Sequence, residues 1–329
     1  MRPTVFVTQP VPEVALERLR RVAEVRVFPD SETILPRSRL LEEVADCDIL
    51  YCLLHDRVDR EVVDAGRRLR LIACSAIYPA NVDVARATER GIPVTVIPNI
   101  VAETTADLQW ALLLAVARRV VEADRALRAG IFPGAQSQRF VGGEVHGKTL
   151  GTIGLGAIGR ATVNRARGFG MRVLYTKRQR LTLAEEEALG VQYRTLPELL
   201  SESDFVVVNA SYHPGTHHLI GPRELSLMKP TAYLINTARG PIVDEAALVE
   251  VLRAGRIAGA ALDVYEREPE VTPALKELSN VVLTPHIGSA ARDTREQIAH
   301  IVVDNILEFL NGRRPHYVAN PEVFERAGA

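Results

Sequence analysis

Hydrophobic positions divide the chain into two alternating kinds of segment. Short apolar runs such as "TVFVT", "DILYCLL" and "LRLIAC" are separated by stretches in which apolar residues recur every three or four positions. The short runs are typical of buried strands. The recurrence of apolar residues every three or four positions in the stretches between them is typical of amphipathic helices. This alternation predicts β-α-β units with parallel sheets, and therefore an α/β protein.

A second set of strands follows the first after a long helical segment. The first set ends in "GIPVTVIPN" at residues 91–99, and one long helix is predicted from Ala102 to a glycine stop at Gly130. The strand runs beyond it are "TLGTI", "MRVLYT", "VQY", "DFVVVNA", "AYLINTA", "IAGAALDV" and "NVVLTPH". A last long helix is predicted over "ARDTREQIAHIVVDNILEFLNG". Two sets of strands in 329 residues predict two domains.

Composition and charge narrow the classes of partner. The formal net charge is -1, so the sequence predicts no binding to nucleic acid or to an acidic membrane surface. No signal-like start and no apolar run of membrane-spanning length is visible, so a cytoplasmic location is expected. The cysteines lack metal-ligand spacing, which predicts buried reduced thiols and no metal site. They are Cys47, Cys52 and Cys74.

The segment "GLGAIG" carries the first chemical signal. Gly154, Gly156 and Gly159 fit the pattern G-x-G-x-x-G, and they lie between a strand run and a helical pattern. In that context the first glycine allows a tight turn and the second lets a pyrophosphate approach the backbone. The third lets the helix pack against the strand. The segment therefore predicts a dinucleotide site at the helix N-terminus rather than a purely structural turn.

The end of the next strand, "MRVLYTKRQR", bears on which dinucleotide binds. Sites for NAD usually carry an acidic residue about 20 residues after the glycine motif. Here Lys177 lies 21 residues beyond Gly156, and Arg178 and Arg180 follow it. Cations at this point would bind the 2′-phosphate, so NADP(H) is predicted as the preferred cofactor and NAD(H) as the alternative. A solvated loop with incidental charges is the competing interpretation.

Three polar residues follow predicted strands farther along the chain. Arg239 follows "AYLIN", Glu268 follows "IAGAALDV", and His286 follows "NVVLTP". Because ligands of parallel sheets bind at the carboxyl ends of the strands, we expect these side chains to gather there. A histidine beside a carboxylate can exchange protons near neutral pH. An arginine fork can bind a carboxylate and polarise a keto oxygen.

Long stretches of the chain resemble one known family. They are "NVDVARATERGIPV", "ETTADLQWALLLAVARRVVEADR", "GKTLGTIGLGAIGR", "GFGMRVLY", "NTARGPIVDEAALVEVLRAGRIAGAALDVYEREP" and "NVVLTPHIGSA". They resemble the D-isomer-specific 2-hydroxyacid dehydrogenases, most closely the glyoxylate and hydroxypyruvate reductase branch. The resemblance implies two Rossmann-like domains with parallel sheets. A flavodoxin-like substrate domain would occupy residues 1–100 plus 290–329, and a dinucleotide-binding domain residues 101–289.

The same resemblance implies an NAD(P)-dependent oxidoreductase. It would transfer a hydride between the cofactor and a small 2-oxoacid or D-2-hydroxyacid such as glyoxylate or hydroxypyruvate, as a homodimer formed through the cofactor domain. Arg239 would bind and polarise the substrate, and His286, paired with Glu268, would act as acid and base. Further substrate-binding residues would be Ala76, Ile77 and Tyr78. The implied cofactor-binding residues are Thr105, Gly154, Gly156, Ala157, Ile158, Gly159, Lys177, Arg178, Ala210, Thr237, Ala238, Asp263 and Gly288.

Two stretches depart from the family pattern. Where relatives usually carry "G-x-D-N" in the loop that receives the substrate carboxylate, this chain has Tyr78 for the glycine and Ala80 for the aspartate. Tyrosine cannot adopt the backbone angles open to glycine, and Pro79 restricts it further. We therefore expect a rebuilt loop or a different substrate. Relatives also commonly show "H-V-P" where residues 209–211 read "NAS". The sequence therefore does not determine how this stretch contacts the adenosine of the cofactor.

Two other functions fit the same fold. Phosphite dehydrogenases resemble this family and place a lysine in the loop at residues 73–79, which here reads "ACSAIYP". Non-enzymatic NAD(P)-sensing corepressors need not keep the proton-transfer histidine, whereas this chain has the full set of arginine, glutamate and histidine. His217 and His218 suggest a metal site, but adjacent side chains are expected to point apart. Trp110 is expected in the core.

Overall fold

The computed structural model describes residues 2–326, which form two compact units. The first unit extends through Ile100 and resumes at Ala290, and the second is Val101–Ser289. Each unit has one parallel sheet with helices packed against it, as in two Rossmann-like domains. A helix with the length and apolar composition needed to cross a bilayer is absent from residues 2–326.

The first unit is built on five parallel strands. They are β1 (Thr4–Val7), β2 (Glu24–Val27), β3 (Ile49–Cys52), β4 (Leu71–Cys74) and β5 (Val94–Thr95). Their order, β2-β1-β3-β4-β5, is the flavodoxin-like order. The helices between them are α1 (Glu13–Arg20), α2 (Arg37–Ala45), α3 (Arg60–Ala65) and α4 (Val84–Glu89). Strands β3 and β4 are buried along their whole length, which explains their continuous apolar sequences.

The second unit contains seven parallel strands. They are β6 (Thr149–Ile153), β7 (Arg172–Thr176), β8 (Val191–Tyr193), β9 (Phe205–Val208), β10 (Tyr233–Asn236), β11 (Gly259–Leu262) and β12 (Val281–Leu283). The helices are α5 (Ala102–Ala117), α6 (Val120–Arg128), α7 (Ala157–Ala166), α8 (Leu183–Leu189), α9 (Leu196–Glu202), α10 (Pro222–Leu227), α11 (Glu245–Arg253) and α12 (Pro273–Glu277). The strand order is β8-β7-β6-β9-β10-β11-β12. It reverses direction between β6 and β9, the point at which dinucleotides bind in Rossmann folds.

The chain then returns to the first unit. Helix α13 (Arg292–Leu310) is the long final helix that the sequence predicts, and α14 (Glu322–Arg326) follows it. Helix α13 packs against α1 and β4. The three cysteines are buried free thiols in this unit. Cys52 and Cys74 end the neighbouring strands β3 and β4, and their sulfur atoms lie 3.5 Å apart.

The single helix predicted from Ala102 to Gly130 is two helices. Helix α5 ends at Ala117 and α6 begins at Val120, because Arg119 adopts a left-handed conformation with φ of 53°. The carbonyl oxygen of Ala117 accepts a hydrogen bond from the amide of Gly143 at 2.8 Å. A Cβ on Gly142 would lie only 2.1 Å from that oxygen, so glycine permits this approach. The prediction was wrong here because a contact distant in sequence ends the helix.

Candidate active site

The glycine motif forms the turn between β6 and α7. Gly154 has φ of 95°, and a Cβ there would lie 2.5 Å from the carbonyl oxygen of Asn209. Gly156 precedes the first turn of α7, and a Cβ on it would meet no atom within 4 Å. No side chain caps α7, so its first amide groups are available to a ligand. The open space and the free amides fit the pyrophosphate of a dinucleotide.

The cations after β7 differ from one another in their surroundings. Lys177 is half-buried and Arg178 exposed, and neither forms a salt bridge within the described part of the chain. Arg180 instead binds both carboxylate oxygens of Glu186, at 2.7 and 2.9 Å. Arg180, together with the hydroxyl of Tyr175, lowers the pKa of Glu186 to about 2. The expectation that Arg180 reaches a 2′-phosphate was therefore wrong, because a carboxylate of its own loop holds it.

The structure brings His286 and Glu268 together. The Nδ1 atom of His286 lies 2.7 Å from Oε2 of Glu268, and both side chains are half-buried. The other carboxylate oxygen of Glu268 accepts a hydrogen bond from the amide of Tyr265 at 3.0 Å. With Nδ1 directed at the carboxylate, Nε2 is the ring nitrogen that faces away from it. The pair has the geometry of an oriented acid–base group.

A buried aspartate holds the turn that carries His286. His286 has φ of 54°, and its amide donates to the carbonyl of Asp263 at 2.9 Å. The Asp263 carboxylate accepts bonds from the amides of Ile287 and Gly288, at 2.8 and 2.9 Å, and from the hydroxyl of Thr284. Burial raises the pKa of Asp263, and the bond from Thr284 opposes that effect. These bonds show that Asp263 holds the turn that carries His286, and its contact with the cofactor stays a prediction.

Arg239 follows β10 on a turn held by Asn236. The buried Asn236 side chain accepts from the amide of Ala238 and donates to the carbonyl of Arg239, each at 3.0 Å. Burial lowers the pKa of the Arg239 guanidinium, whereas the Glu268 carboxylate raises it. The guanidinium stays charged at neutral pH. It forms no salt bridge within residues 2–326, so its charge remains for an anionic ligand.

Gly240 lets the arginine turn approach the segment that carries Glu268. A Cβ on Gly240 would lie 1.9 Å from the carbonyl carbon and oxygen of Tyr265. Only glycine fits at such a distance. Arg239 and Glu268 therefore lie on two backbone segments in direct contact, and their relative position depends on this glycine.

The remaining residues implied for the cofactor lie along the same edge of the second sheet. Thr105 donates its hydroxyl to the carbonyl of Gly288 at 3.2 Å, which links α5 to the histidine turn. The others are Ala157 and Ile158 at the start of α7, Ala210 after β9, and Thr237 and Ala238 after β10. Thr237 is buried and accepts a hydrogen bond from Gln109. Gln109 was missed by the sequence reasoning, although a glutamine directly before the apolar run "WALLLAVA" is a visible signal.

The loop after β4 has an ordinary backbone conformation at Tyr78. Tyr78 does not have positive φ, and its side chain is 73% exposed. The side chain of Asn81 donates to the carbonyls of Leu53 and Asp56, both at 2.8 Å, and so holds the loop to its neighbour. Within residues 2–326, the amides of Ile77 and Tyr78 donate to no backbone carbonyl. These amides are therefore available to a ligand.

The adjacent histidines lie together, contrary to expectation. The rings of His217 and His218 stack with their centroids 4.0 Å apart, because His218 adopts a left-handed conformation with φ of 50°. The Nε2 atom of His218 lies 2.8 Å from Glu266. Across the described residues 2–326, no three His, Cys, Asp or Glu side chains gather closely enough to hold a metal ion.

Comparison with known proteins decides the family. The family model described as "D-isomer specific 2-hydroxyacid dehydrogenase, NAD binding domain" matches residues 110–288, which is more than half of the chain. The chain belongs to this dehydrogenase family. The match spans the glycine turn, Arg239, Glu268 and His286.

Relatives of the dehydrogenase match along nearly its whole length. Glyoxylate reductase of Thermococcus gammatolerans is 48% identical over 327 residues, covering 98% of this chain and 97% of that protein. A crystal structure from Thermus thermophilus is 43% identical with a TM-score of 0.89, covering 96% of this chain and 99% of that one. The NADPH-dependent glyoxylate/hydroxypyruvate reductase of Sinorhizobium meliloti, in complex with NADP and malonate, is 32% identical with a TM-score of 0.81. Its alignment covers 98% of each chain.

These comparisons confirm three predictions from the sequence. They confirm the α/β fold class with two Rossmann-like domains, the family with its glyoxylate reductase branch, and the enzyme class. The protein is an NAD(P)-dependent dehydrogenase that uses a nicotinamide dinucleotide and acts on a small hydroxyacid.

Proposed function

We propose that this dehydrogenase interconverts a small 2-oxoacid and its D-2-hydroxyacid, with NADPH as the preferred cofactor. The observation that carries the proposal is the His286–Glu268 pair beside the cation of Arg239, at the sheet edge that bears the glycine turn. The activities of the Thermococcus and Sinorhizobium relatives support glyoxylate and hydroxypyruvate as the substrate class. The first unit would be the substrate domain and the second the cofactor domain.

The mechanism follows from the three side chains. The dinucleotide supplies the hydride when it is bound. The planar guanidinium of Arg239 binds the substrate carboxylate and polarises the keto oxygen, so negative charge developing on that oxygen is stabilised. Nε2 of His286 donates its proton to the same oxygen and takes it back in the reverse direction. Glu268 keeps the proton on Nδ1 and stabilises the imidazolium through their 2.7 Å contact.

The substrate should be larger than glyoxylate. We propose that residues 76–78 contact it, because two amides of this loop are free and the exposed Tyr78 ring can cover an apolar tail. Initial rates with glyoxylate, hydroxypyruvate and longer 2-oxoacids should therefore favour a longer acid, and Tyr78→Ala should reduce that preference.

The same panel separates the competing functions. A wide margin in favour of glyoxylate would refute the role of Tyr78. Turnover of phosphite would identify the enzyme as a phosphite dehydrogenase. Tight dinucleotide binding without turnover of any acid would favour a corepressor-like sensor.

The parent enzyme should prefer NADPH by about tenfold or more in kcat/KM. A single charge-assisted bond from Lys177 to the 2′-phosphate contributes on the order of 1.5 kcal/mol when partly desolvated. Lys177→Asp should invert the preference, because a carboxylate accepts the ribose hydroxyl and repels the phosphate. Catalytic efficiencies with both cofactors test this, and the parent's preference should weaken as salt rises.

Arg180→Gln is the matched control for the cofactor experiment. Because Arg180 is bound to Glu186, its loss should leave the NADPH preference close to that of the parent. Equal efficiency with both cofactors in the parent, or preference for NADH, contradicts the assignment of Lys177.

A homodimer is part of the proposal. Large apolar side chains are exposed on α6 and on the loop beyond it, and burying them against a second copy would remove apolar surface from water. They are Val120, Leu127, Ile131, Phe132 and Val141. All belong to the second unit, in agreement with a dimer formed through the cofactor domain. A cytoplasmic location remains a prediction of the sequence.

A further inference from the structure

A buried amide pair lies beneath the dinucleotide site. Gln109 in α5 is fully buried, and its side chain faces that of Asn209 after β9. Nε2 of Gln109 lies 3.3 Å from Oδ1 of Asn209, and Nδ2 of Asn209 lies 3.3 Å from Oε1 of Gln109. The pairing is reciprocal because each amide supplies a donor and an acceptor side by side.

The hydrogen-bond direction through this pair is determined by the glycine turn. The Thr152 hydroxyl lies 2.7 Å from the carbonyl oxygen of Gly154, which can only accept, so the hydroxyl donates there. Its oxygen then accepts from Asn209 Nδ2 at 3.1 Å. This fixes the orientation of the Asn209 amide and, through the reciprocal pair, that of Gln109. The Thr162 hydroxyl oxygen lies 2.7 Å from Oε1 of Gln109 and 2.9 Å from the carbonyl oxygen of Ile158. Once Asn209 has set the Gln109 amide, the single proton of Thr162 is donated to Oε1, the shorter of the two contacts.

The chain of hydrogen bonds that starts at Thr152 ends at Thr237. Nε2 of Gln109 donates to the hydroxyl oxygen of Thr237 at 2.9 Å, so this oxygen acts as an acceptor on its buried side. The hydroxyl proton of Thr237 is then left to donate elsewhere. Thr237 follows β10, two residues before Arg239, at the sheet edge that also carries the glycine turn. An oxygen atom of a ligand at that edge can accept this proton.

We propose that Gln109 is a positioning residue of the cofactor site, which presents the Thr237 hydroxyl as a donor to an oxygen of the dinucleotide and, through Asn209, braces the Gly154 turn. The proposal rests on the cofactor site described above and not on the identity of the oxoacid. Gln109 itself is buried away from any ligand, so it acts only through its partners. The backbone of Asn209 is also packed against the turn, since a Cβ on Gly154 would lie 2.5 Å from its carbonyl oxygen.

Removal of the amide should weaken dinucleotide binding more than it slows the chemical step. Gln109→Met keeps the length of the side chain but removes both hydrogen-bonding atoms. The Kd of NADPH and NADH, measured by isothermal titration calorimetry without any oxoacid, should rise about tenfold. At saturating cofactor, kcat should change by less than about threefold. Ser203→Ala is the matched control, because Ser203 is equally buried in the second unit but bonds only within its own helix end, to Leu199.

A double-mutant cycle tests whether Gln109 acts through Thr237. Thr237→Val should weaken dinucleotide binding by a similar factor. Thr237→Ser should bind the dinucleotide as the parent does, because serine keeps the hydroxyl. The effects of Gln109→Met and Thr237→Val should not add, since both remove the same donor.

Three outcomes would overturn the proposal. They are additive effects in the cycle, Kd values in Gln109→Met equal to those of the parent, and a Ser203→Ala variant that loses as much affinity as Gln109→Met. If Gln109→Met does not fold, as judged by circular dichroism, the comparison of Thr237→Val with Thr237→Ser decides the question. A parent enzyme that binds the dinucleotide but reduces no oxoacid would refute the proposed substrate class and leave this test intact.

Discussion

Replacement of His286 by alanine should lower kcat by about 10²- to 10⁴-fold, the range for a positioned acid–base group. The imidazole is oriented by Glu268 through Nδ1, so its loss removes the proton donor for the substrate oxygen. The Kd of the dinucleotide should stay near the parent value, because the glycine turn lies after a different strand. Steady-state kinetics together with calorimetric titration of NADPH would measure both quantities.

His146→Ala is the matched control for that variant. His146 is an exposed histidine just before β6, at the amino end of the strands, whereas His286 follows the carboxyl end of β12. Loss of His146 should leave kcat unchanged. Near-normal turnover in the His286 variant would eliminate this residue as the acid and base.

Replacement of Arg239 by lysine should lower kcat/KM by about a hundredfold or more, although the charge is retained. A lysine ammonium is a point charge that cannot reproduce the planar fork needed to bind a carboxylate and polarise a keto oxygen together. Loss of one donor to a developing oxyanion costs about 10²- to 10³-fold in comparable sites. Both kcat and the KM for the oxoacid should worsen, and the KM for the dinucleotide should not.

Arg253→Lys provides the comparison for the arginine experiment. Arg253 lies on α11, where its side chain is exposed and contacts Glu250 at 3.2 Å. This exchange should have no effect on either kinetic constant. If Arg239→Lys behaves in the same way, Arg239 is not the residue that binds the substrate.

Local sequence signals were sufficient for the strands that build the second sheet. The run "TLGTI" coincides with β6, and the run "DFVVVNA" contains β9. A strand buried in a parallel sheet needs apolar side chains on both faces, so its sequence is recognisable without its neighbours. The glycine motif is equally local, because a tight turn into a helix depends on backbone angles at adjacent positions.

The gathering of the site residues could also be inferred without coordinates. Parallel strands all end at one edge of their sheet, so residues that follow β10, β11 and β12 had to lie near one another. The position of Arg180 could not be inferred in this way. Its charge is neutralised by Glu186, six residues away, and nothing in the spacing distinguishes this carboxylate from the exposed ones around it.

The sequence alone determined the fold class, the family and the residue types of the site, because strand periodicity, turn chemistry and strand order are properties of short segments and of simple topology. Only the tertiary structure decided where α5 ends, how His217 and His218 stack, and which side chains Gln109 contacts. Gln109 and Asn209 are 100 residues apart in the chain. Directional hydrogen bonds between such distant residues depend on side-chain orientation to within a few tenths of an ångström, and no one-dimensional pattern contains that information.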